Sequence, residues 1–245
     1  MKIRIDNLTK VFGQKTAVDI SGFSINDGEI IGLVGNNGAG KTTLFRLMLD
    51  LLKADSGSIT FTTECSPGSE ETPKSINPAQ SEEWKKYTGA YIDTSFLIDF
   101  LTPEEYFEFI GQISGMTKEE VTARLADFEQ LMGGEILGQQ KYIRNFSAGN
   151  KQKIGIIAAL FNRPQLVILD EPFNFLDPSS QNVLKKTLAD YNHETHATIL
   201  ISSHNLQHTI EISSRIALLE HGRIISDLDN TGQCAESQLE EYFKI

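Results

Sequence analysis

Apolar and polar positions along the chain alternate between two periods. Short apolar stretches at 3–5 and 17–25, broken by Phe12-Gly13-Gln14 and closed by Asn26-Asp27-Gly28, read as strands joined by turns. Glu29-Ile30-Ile31-Gly32-Leu33-Val34 is a compact apolar run leading into a glycine-rich stretch, which predicts a buried parallel strand. From 41 to 52 the period changes, and Leu44, Phe45, Leu47, Met48, Leu51 and Leu52 fit one broad helical face. Strand, glycine loop and helix therefore follow in order.

Residues 62–83 are dominated by Thr, Ser, Glu, Pro and Gly, the pattern of a surface excursion, and a short strand is expected at 87–92. Thr102-Pro103-Glu104-Glu105 combines an N-cap, a first-turn proline and a capping-box glutamate. Thr117-Lys118-Glu119-Glu120 repeats the capping pattern ahead of Val121, Leu125, Phe128 and Leu131, with Gly133-Gly134 closing that helix. Residues 94 to about 160 thus read as a helical insertion. Beyond it α/β alternation resumes, with strands at 166–169 and 198–201 around a helix at 178–191, which Asp177-Pro178 opens as N-cap and N1. A terminal hairpin at 215–219 and 223–225 and an end helix at 236–243 complete the pattern, which has no internal repeat or heptad.

Composition narrows the class. Apolar residues make up 40 %, charged residues 22 % and aromatics 9 %, as in an ordinary globular chain. The longest apolar run, 154–161, has eight residues, against the roughly 20 that a membrane-spanning helix needs. Met1-Lys2-Ile3-Arg4-Ile5-Asp6 lacks an apolar leader core, so no secretory signal is expected. Cys65 and Cys234 stand far apart, which fits a reducing cytoplasm and excludes a C-x-x-C redox or zinc motif. The net charge of −11 argues against a nucleic-acid partner.

The candidate chemistry begins at Gly35-Asn36-Asn37-Gly38-Ala39-Gly40-Lys41-Thr42-Thr43, which matches G-x-x-x-x-G-K-[ST] between the expected strand and helix. Such a loop turns backbone N–H groups and a helix N-terminus toward phosphates. Lys41 is placed to reach the β- and γ-phosphates, Thr42 to offer a hydroxyl to Mg²⁺ and Thr43 to hold the α-phosphate. Leu166-Val167-Ile168-Leu169-Asp170-Glu171-Pro172 delivers two carboxylates at the C-terminal end of a buried strand, the edge where open α/β sheets bind ligands. Asp170 suits Mg²⁺ and Glu171 suits polarising an attacking water; taken alone, such a pair is more often a helix-capping turn.

Together with Asn145-Phe146-Ser147-Ala148-Gly149-Asn150-Lys151-Gln152, these motifs resemble the nucleotide-binding subunit of an ATP-binding cassette (ABC) transporter. That family carries a Leu-Ser-Gly-Gly-Gln signature before a helix. Here Ser147 and Gly149 match, Phe146 is a mild change, and Ala148 and Asn150 depart. Phe12 resembles the aromatic that stacks on adenine, Asp177 the D-loop aspartate and His204, in Ile201-Ser202-Ser203-His204, the switch histidine. Alone, Phe12 reads as a core aromatic and His204 as a helix-start residue. Asp93 falls where the family usually places the Q-loop glutamine; as a carboxylate it could ligate Mg²⁺, or it could cap the segment that follows.

The resemblance implies a P-loop NTPase (RecA-like) α/β core at 1–93 and about 161–245, with an antiparallel β subdomain and an inserted helical subdomain at about 94–160. It implies an ATPase that uses Mg²⁺ and forms a homodimer, or a heterodimer with a second cassette, across which Ser147 and Gly149 of one subunit face the phosphate loop of the other. It also implies a separate membrane permease that holds the chain at the inner face of the cell membrane. The acidic residue at 93 and the absence of an added C-terminal regulatory domain point to the exporter type. A slow-hydrolysing regulator, suggested by Ala148 and Asn150, is the rival reading.

Overall fold

A computed structural model of the chain describes residues 1–63, 72–231, 235, 238 and 239. Cys65, Cys234 and all but two positions of the expected end helix lie outside the described residues. In chain order the elements are β1 (Lys2–Phe12), β2 (Lys15–Ile25), β3 (Ile30–Val34), α1 (Lys41–Met48), β4 (Ser56–Thr62), β5 (Ser75–Ile76), β6 (Thr88–Tyr91), α2 (Pro103–Ile113), α3 (Lys118–Ala126) and α4 (Glu129–Met132). They continue with α5 (Ala148–Leu160), β7 (Leu166–Leu169), α6 (Pro178–Thr195), β8 (Thr198–Ser203), α7 (Leu206–Ile212), β9 (Arg215–Glu220) and β10 (Arg223–Asp229).

Two sheets result. One is antiparallel, in the order β2-β1-β4-β5; the other has six strands in the order β10-β9-β3-β8-β7-β6, parallel except for the β10 edge. The inner strands β3, β7 and β8 are buried at every position because both faces of the sheet are covered there. In β7, Val167 and Leu169 enter a core shared with the helices, while Leu166 and Ile168 enter a second core shared with α1 and the antiparallel sheet. Parallel pairing of β3 with β8 and of β8 with β7 places the ends of these three strands side by side at one sheet edge.

Both capping boxes form: Thr102 Oγ1 accepts from the Glu105 N–H, Thr117 Oγ1 from the Glu120 N–H, and each glutamate accepts from its cap's N–H. The second helix is shorter than its periodicity suggests. α3 stops at Ala126, and α4 begins anew at Glu129 before Gly133 ends it in the left-handed region. β4 has no counterpart among the expected elements, although Ile59 and Phe61 alternate inward along it. The only tryptophan, Trp84, is buried with its ring edge-on to Phe61 at 6.3 Å.

Within the segment expected as a helical insertion, α2 to α4 share a core with α5, and α5 also lies directly on β6 and β7. The approach is close. A Cβ on Gly89 of β6 would stand 1.8 Å from the Ala159 carbonyl oxygen, and one on Gly155 of α5 would stand 2.4 Å from the Tyr91 ring. Gly89→Ala is therefore expected to destabilise the fold by about 1–3 kcal/mol, since backbone must move to admit the methyl. Thermal unfolding checks this, and an unaltered Tm would contradict so tight a strand–helix contact.

Candidate functional site

The glycine-rich loop leaves β3 and enters α1 through Gly40, whose φ of 114° only glycine adopts without strain. No side chain caps this helix start, so the first-turn N–H groups stay open toward the loop. Close packing fixes the loop from outside. A Cβ on Gly40 would meet the Ala17 carbonyl at 2.3 Å, one on Gly35 would meet the Leu219 carbonyl at 2.3 Å, and the Gly222 N–H donates to the Ala39 carbonyl at 2.8 Å. Beside it opens a cavity of about 300 Å³ bounded by Lys15, residues 35–39 and residues 218–221. Lys41 is buried; its Nζ donates to the Gly35 carbonyl at 2.6 Å and lies 3.5 Å from Glu171 Oε1. Thr43 follows, half-buried, on the first turn.

Asp170, at the end of β7, is buried and doubly held. Thr42 Oγ1 donates to its Oδ2 at 2.5 Å, and Ser202 Oγ of β8 donates to its Oδ1. Burial pushes its pKa up from the ordinary carboxylate value, opposed by the Ser202 and Thr42 hydrogen bonds. Next in sequence, Glu171 has φ 49°, a left-handed conformation that is rare outside glycine. Its N–H donates to Ser202 Oγ at 2.9 Å, while its Oε2 lies 2.8 Å from His204 Nδ1 and accepts the His204 N–H at 3.3 Å. Gln152, buried on α5, donates its amide to the Pro172 carbonyl at 2.6 Å and the Glu171 carbonyl at 3.3 Å. Lys41, Thr42, Asp170, Glu171 and His204, drawn from α1 and from the ends of β7 and β8, therefore meet in one place.

The 147–150 segment lies at a helix start, as its pattern suggests. Ser147 is the N-cap of α5, accepting from the Asn150 N–H at 3.2 Å, and Ser147 and Ala148 are both exposed. Gly149 has no room for a side chain, because its Cβ would stand 2.6 Å from the Phe175 carbonyl. Phe175 is 75 % exposed with φ 59°, and Gln181 holds its loop through the Phe173 and Leu176 carbonyls at 3.1 Å each. Asp177 caps α6, accepting from the Ser179 and Ser180 N–H groups; the Ser180 hydroxyl, with these backbone donors, holds its pKa below the usual carboxylate value.

Phe12 is not a core aromatic: it stands half-exposed at the tip of the β1–β2 hairpin, with Lys10 Nζ 5.5 Å from its ring centre. Asp93 takes the capping alternative. Its carboxylate accepts from the Ser95 N–H at 2.7 Å and lies 3.6 Å from Arg46, and these, not Thr42 or Asp170, are its partners. Gln152, the Ser202 hydroxyl and Lys15 are the participants that sequence reasoning did not single out. Among the described residues no three His, Cys, Asp or Glu side chains cluster as a metal cage. Thr42 and Asp170 instead offer the sparse, hard oxygen pair that suits a cation sharing its shell with phosphate and water.

Comparison with known proteins agrees with this geometry. The ABC transporter family model matches residues 18–174. The methionine import ATP-binding protein MetN of Streptococcus agalactiae is 31 % identical over 99 % of this chain and 69 % of its own. The linearmycin resistance ATP-binding protein LnrL of Bacillus subtilis is 33 % identical over 95 % of this chain and 71 % of its own. Among solved structures, an ATP-binding subunit of an ABC transporter superposes with a TM-score of 0.80 at 23 % identity, covering 100 % of this chain and 95 % of the other. The chain belongs to the ABC transporter family, as an ATP-binding subunit that hydrolyses ATP on a P-loop α/β fold.

Gln152 gives this subsection its test. Gln152→Ala removes the donor that the buried Pro172 carbonyl depends on, and is expected to cost about 1–3 kcal/mol of stability, read in denaturant unfolding. A midpoint equal to that of the wild type would mean that the Glu171 loop holds its shape without the amide.

Proposed function

We propose that this ABC transporter subunit binds ATP with Mg²⁺ on the phosphate loop, hydrolyses it with Glu171 as general base, and powers solute export through a separate membrane permease. One observation carries the reading: Lys41 lies 3.5 Å from Glu171, Thr42 lies 2.5 Å from Asp170, and His204 lies 2.8 Å from Glu171, all at the sheet edge where the glycine loop opens. The N–H groups of Gly35, Asn36, Asn37, Gly38, Ala39 and Gly40, with Lys41 and Thr43, hold the phosphate tail. The exposed ring of Phe12 stacks on the base. Thr42 and Asp170 would hold Mg²⁺, which neutralises phosphate charge when bound. Glu171 accepts the proton of the attacking water, and His204, bonded to Glu171, orients that carboxylate and the water. Nucleotide recruits Lys41 away from the Gly35 carbonyl.

A second cassette completes the site. Ser147, Ala148, Gly149, Asn150 and Asp177 of one subunit face the phosphate loop of the other, and the exposure of Ser147 and Ala148 supports this. The permease docks in a groove of about 870 Å³ whose walls include Leu51, Trp84, Asp93, Phe96, Leu97 and Ile113. Phe96 is 53 % and Ile113 71 % exposed at its rim, which suits an apolar segment. No described helix is long and apolar enough to cross a membrane, so contact with the inner face of the membrane comes through that partner. Relatives named for methionine import and for linearmycin resistance both resemble the chain; the acidic residue at 93 is what supports export. A multi-span protein recovered with the chain from solubilised membranes tests the permease, and recovery of the chain without one favours the regulatory reading.

Glu171→Gln is expected to lower the steady-state ATPase rate by about 10²–10⁴-fold while ATP binding persists; an unchanged rate in a hydrolysis assay counts against Glu171 as base. Ala148→Gly, alone or with Asn150→Gln, removes a methyl beside the face where the second phosphate loop docks. It is expected to raise ATPase activity or ATP-driven dimerisation in light-scattering measurements, and a fall in both would show that the alanine is accommodated elsewhere.

A further inference from the structure

Lys15 opens β2 and pairs with Phe12 across the hairpin, with its side chain exposed. The β1–β2 register slips by one residue between Thr16 and Val18, leaving Ala17 without a cross-strand partner at an irregularity beside the loop. Ala17 is the residue that β2 presses against the loop, since its carbonyl lies where a Cβ on Gly40 or Gly222 would fall, at 2.3 and 2.8 Å. Two residues back along β2, Lys15 reaches the middle of the loop: its Nζ lies 3.7 Å from the place of a Cβ on Gly38. It forms a wall of the cavity of about 300 Å³ beside residues 35–39.

Two cations of the adjoining strands are matched by carboxylates: Lys10 pairs with Asp55 at 3.0 Å and Arg223 with Asp19 at 2.6 Å. Lys41 is engaged with Gly35 and Glu171. Among the described residues Lys15 has no ion-pair partner, although acidic groups outnumber basic ones to give a net charge of −11. Glu220 and His221 border the same cavity without pairing with it. The start of β2 therefore presents an ammonium without an ion-pair partner to the glycine-rich loop.

We infer that Lys15 is a phosphate-binding residue, supplying a second positive charge to the polyphosphate tail of the nucleotide at Gly38. The inference rests on the ATP site proposed above and extends it to a residue outside the motifs. A lysine ammonium acts here as a point charge on a flexible stem, so it recognises the charge of the tail and not the base.

The test measures binding of MgATP and, by competition, of inorganic tripolyphosphate to the purified chain and to Lys15→Ala, Lys15→Arg, Lys41→Ala and Phe12→Ala. Lys15→Ala is expected to bind both probes about tenfold more weakly, as loss of a charge-assisted contact partly screened by water predicts. Added salt should narrow the gap, Lys15→Arg should restore most of the affinity, and Phe12→Ala should weaken MgATP alone. Melting curves of the variants confirm folding, which truncation of an exposed side chain leaves intact. If Lys41→Ala loses binding while Lys15→Ala keeps tripolyphosphate affinity within about twofold of wild type, the inference is overturned and the ATP site stands. Weakening of MgATP without tripolyphosphate also overturns it, and a wild-type chain that binds no MgATP overturns both.

Discussion

Asp170 carries its carboxylate out of water, where an ion is costly unless hydrogen bonds replace its hydration. Those bonds come from Thr42 on α1 and Ser202 on β8, while the carboxylate itself sits at the end of β7. Three elements distant in sequence are thereby pinned at one point. Ser202 extends the arrangement by accepting the Glu171 N–H, so the residue that would activate water is positioned by the same hydroxyl that steadies the buried acid. The parallel sheet supplies the scaffold, but this carboxylate sets the register of the chemistry upon it.

Around that point, strain and packing hold what hydrogen bonds alone would leave loose. Glu171 and Phe175 both occupy the left-handed region, a conformation of order 1–3 kcal/mol less favourable for residues other than glycine, which persists only where neighbours enforce it. The enforcement is visible in two buried or half-buried amides: Gln152 grips the Glu171 and Pro172 carbonyls, and Gln181 grips those of Phe173 and Leu176. The glycines of the phosphate loop act differently. Gly35 is needed because the Leu219 carbonyl fills the space a side chain would need, and Gly40 both for its φ of 114° and because the Ala17 carbonyl does the same there.

The motifs with a fixed local geometry were legible in the sequence. The glycine loop, the Asp170-Glu171 strand end, the Ser147 and Asp177 caps and the two capping boxes depend on neighbours within a few residues, and each sits where its pattern implies. What depends on distant partners was not legible. Gln152 reads as a polar helix residue until Pro172 is seen 2.6 Å away, and Phe12 reads as core until the hairpin lifts it into solvent. Asp93 could cap or ligate by sequence alone; its cap on the Ser95 N–H and its approach to Arg46 emerge only from the fold. The helix expected beyond Thr117 breaks where the Asp127 and Phe128 N–H groups donate to the carbonyls three residues back, Arg124 and Leu125, and apolar periodicity continues across such a break without registering it.

Trp84 gives the molecule a built-in optical property. It is the only indole in the chain, lies in the wall of the large groove, packs edge-on against Phe61 of β4, and is remote in sequence from every residue of the phosphate site. Its fluorescence is therefore a single-origin signal, assignable without removing competing fluorophores of the same kind. Emission wavelength and quenching then report the state of the groove and the antiparallel sheet, and the groove wall reaches the site through Tyr91, whose carbonyl accepts the Asp170 N–H at 2.8 Å.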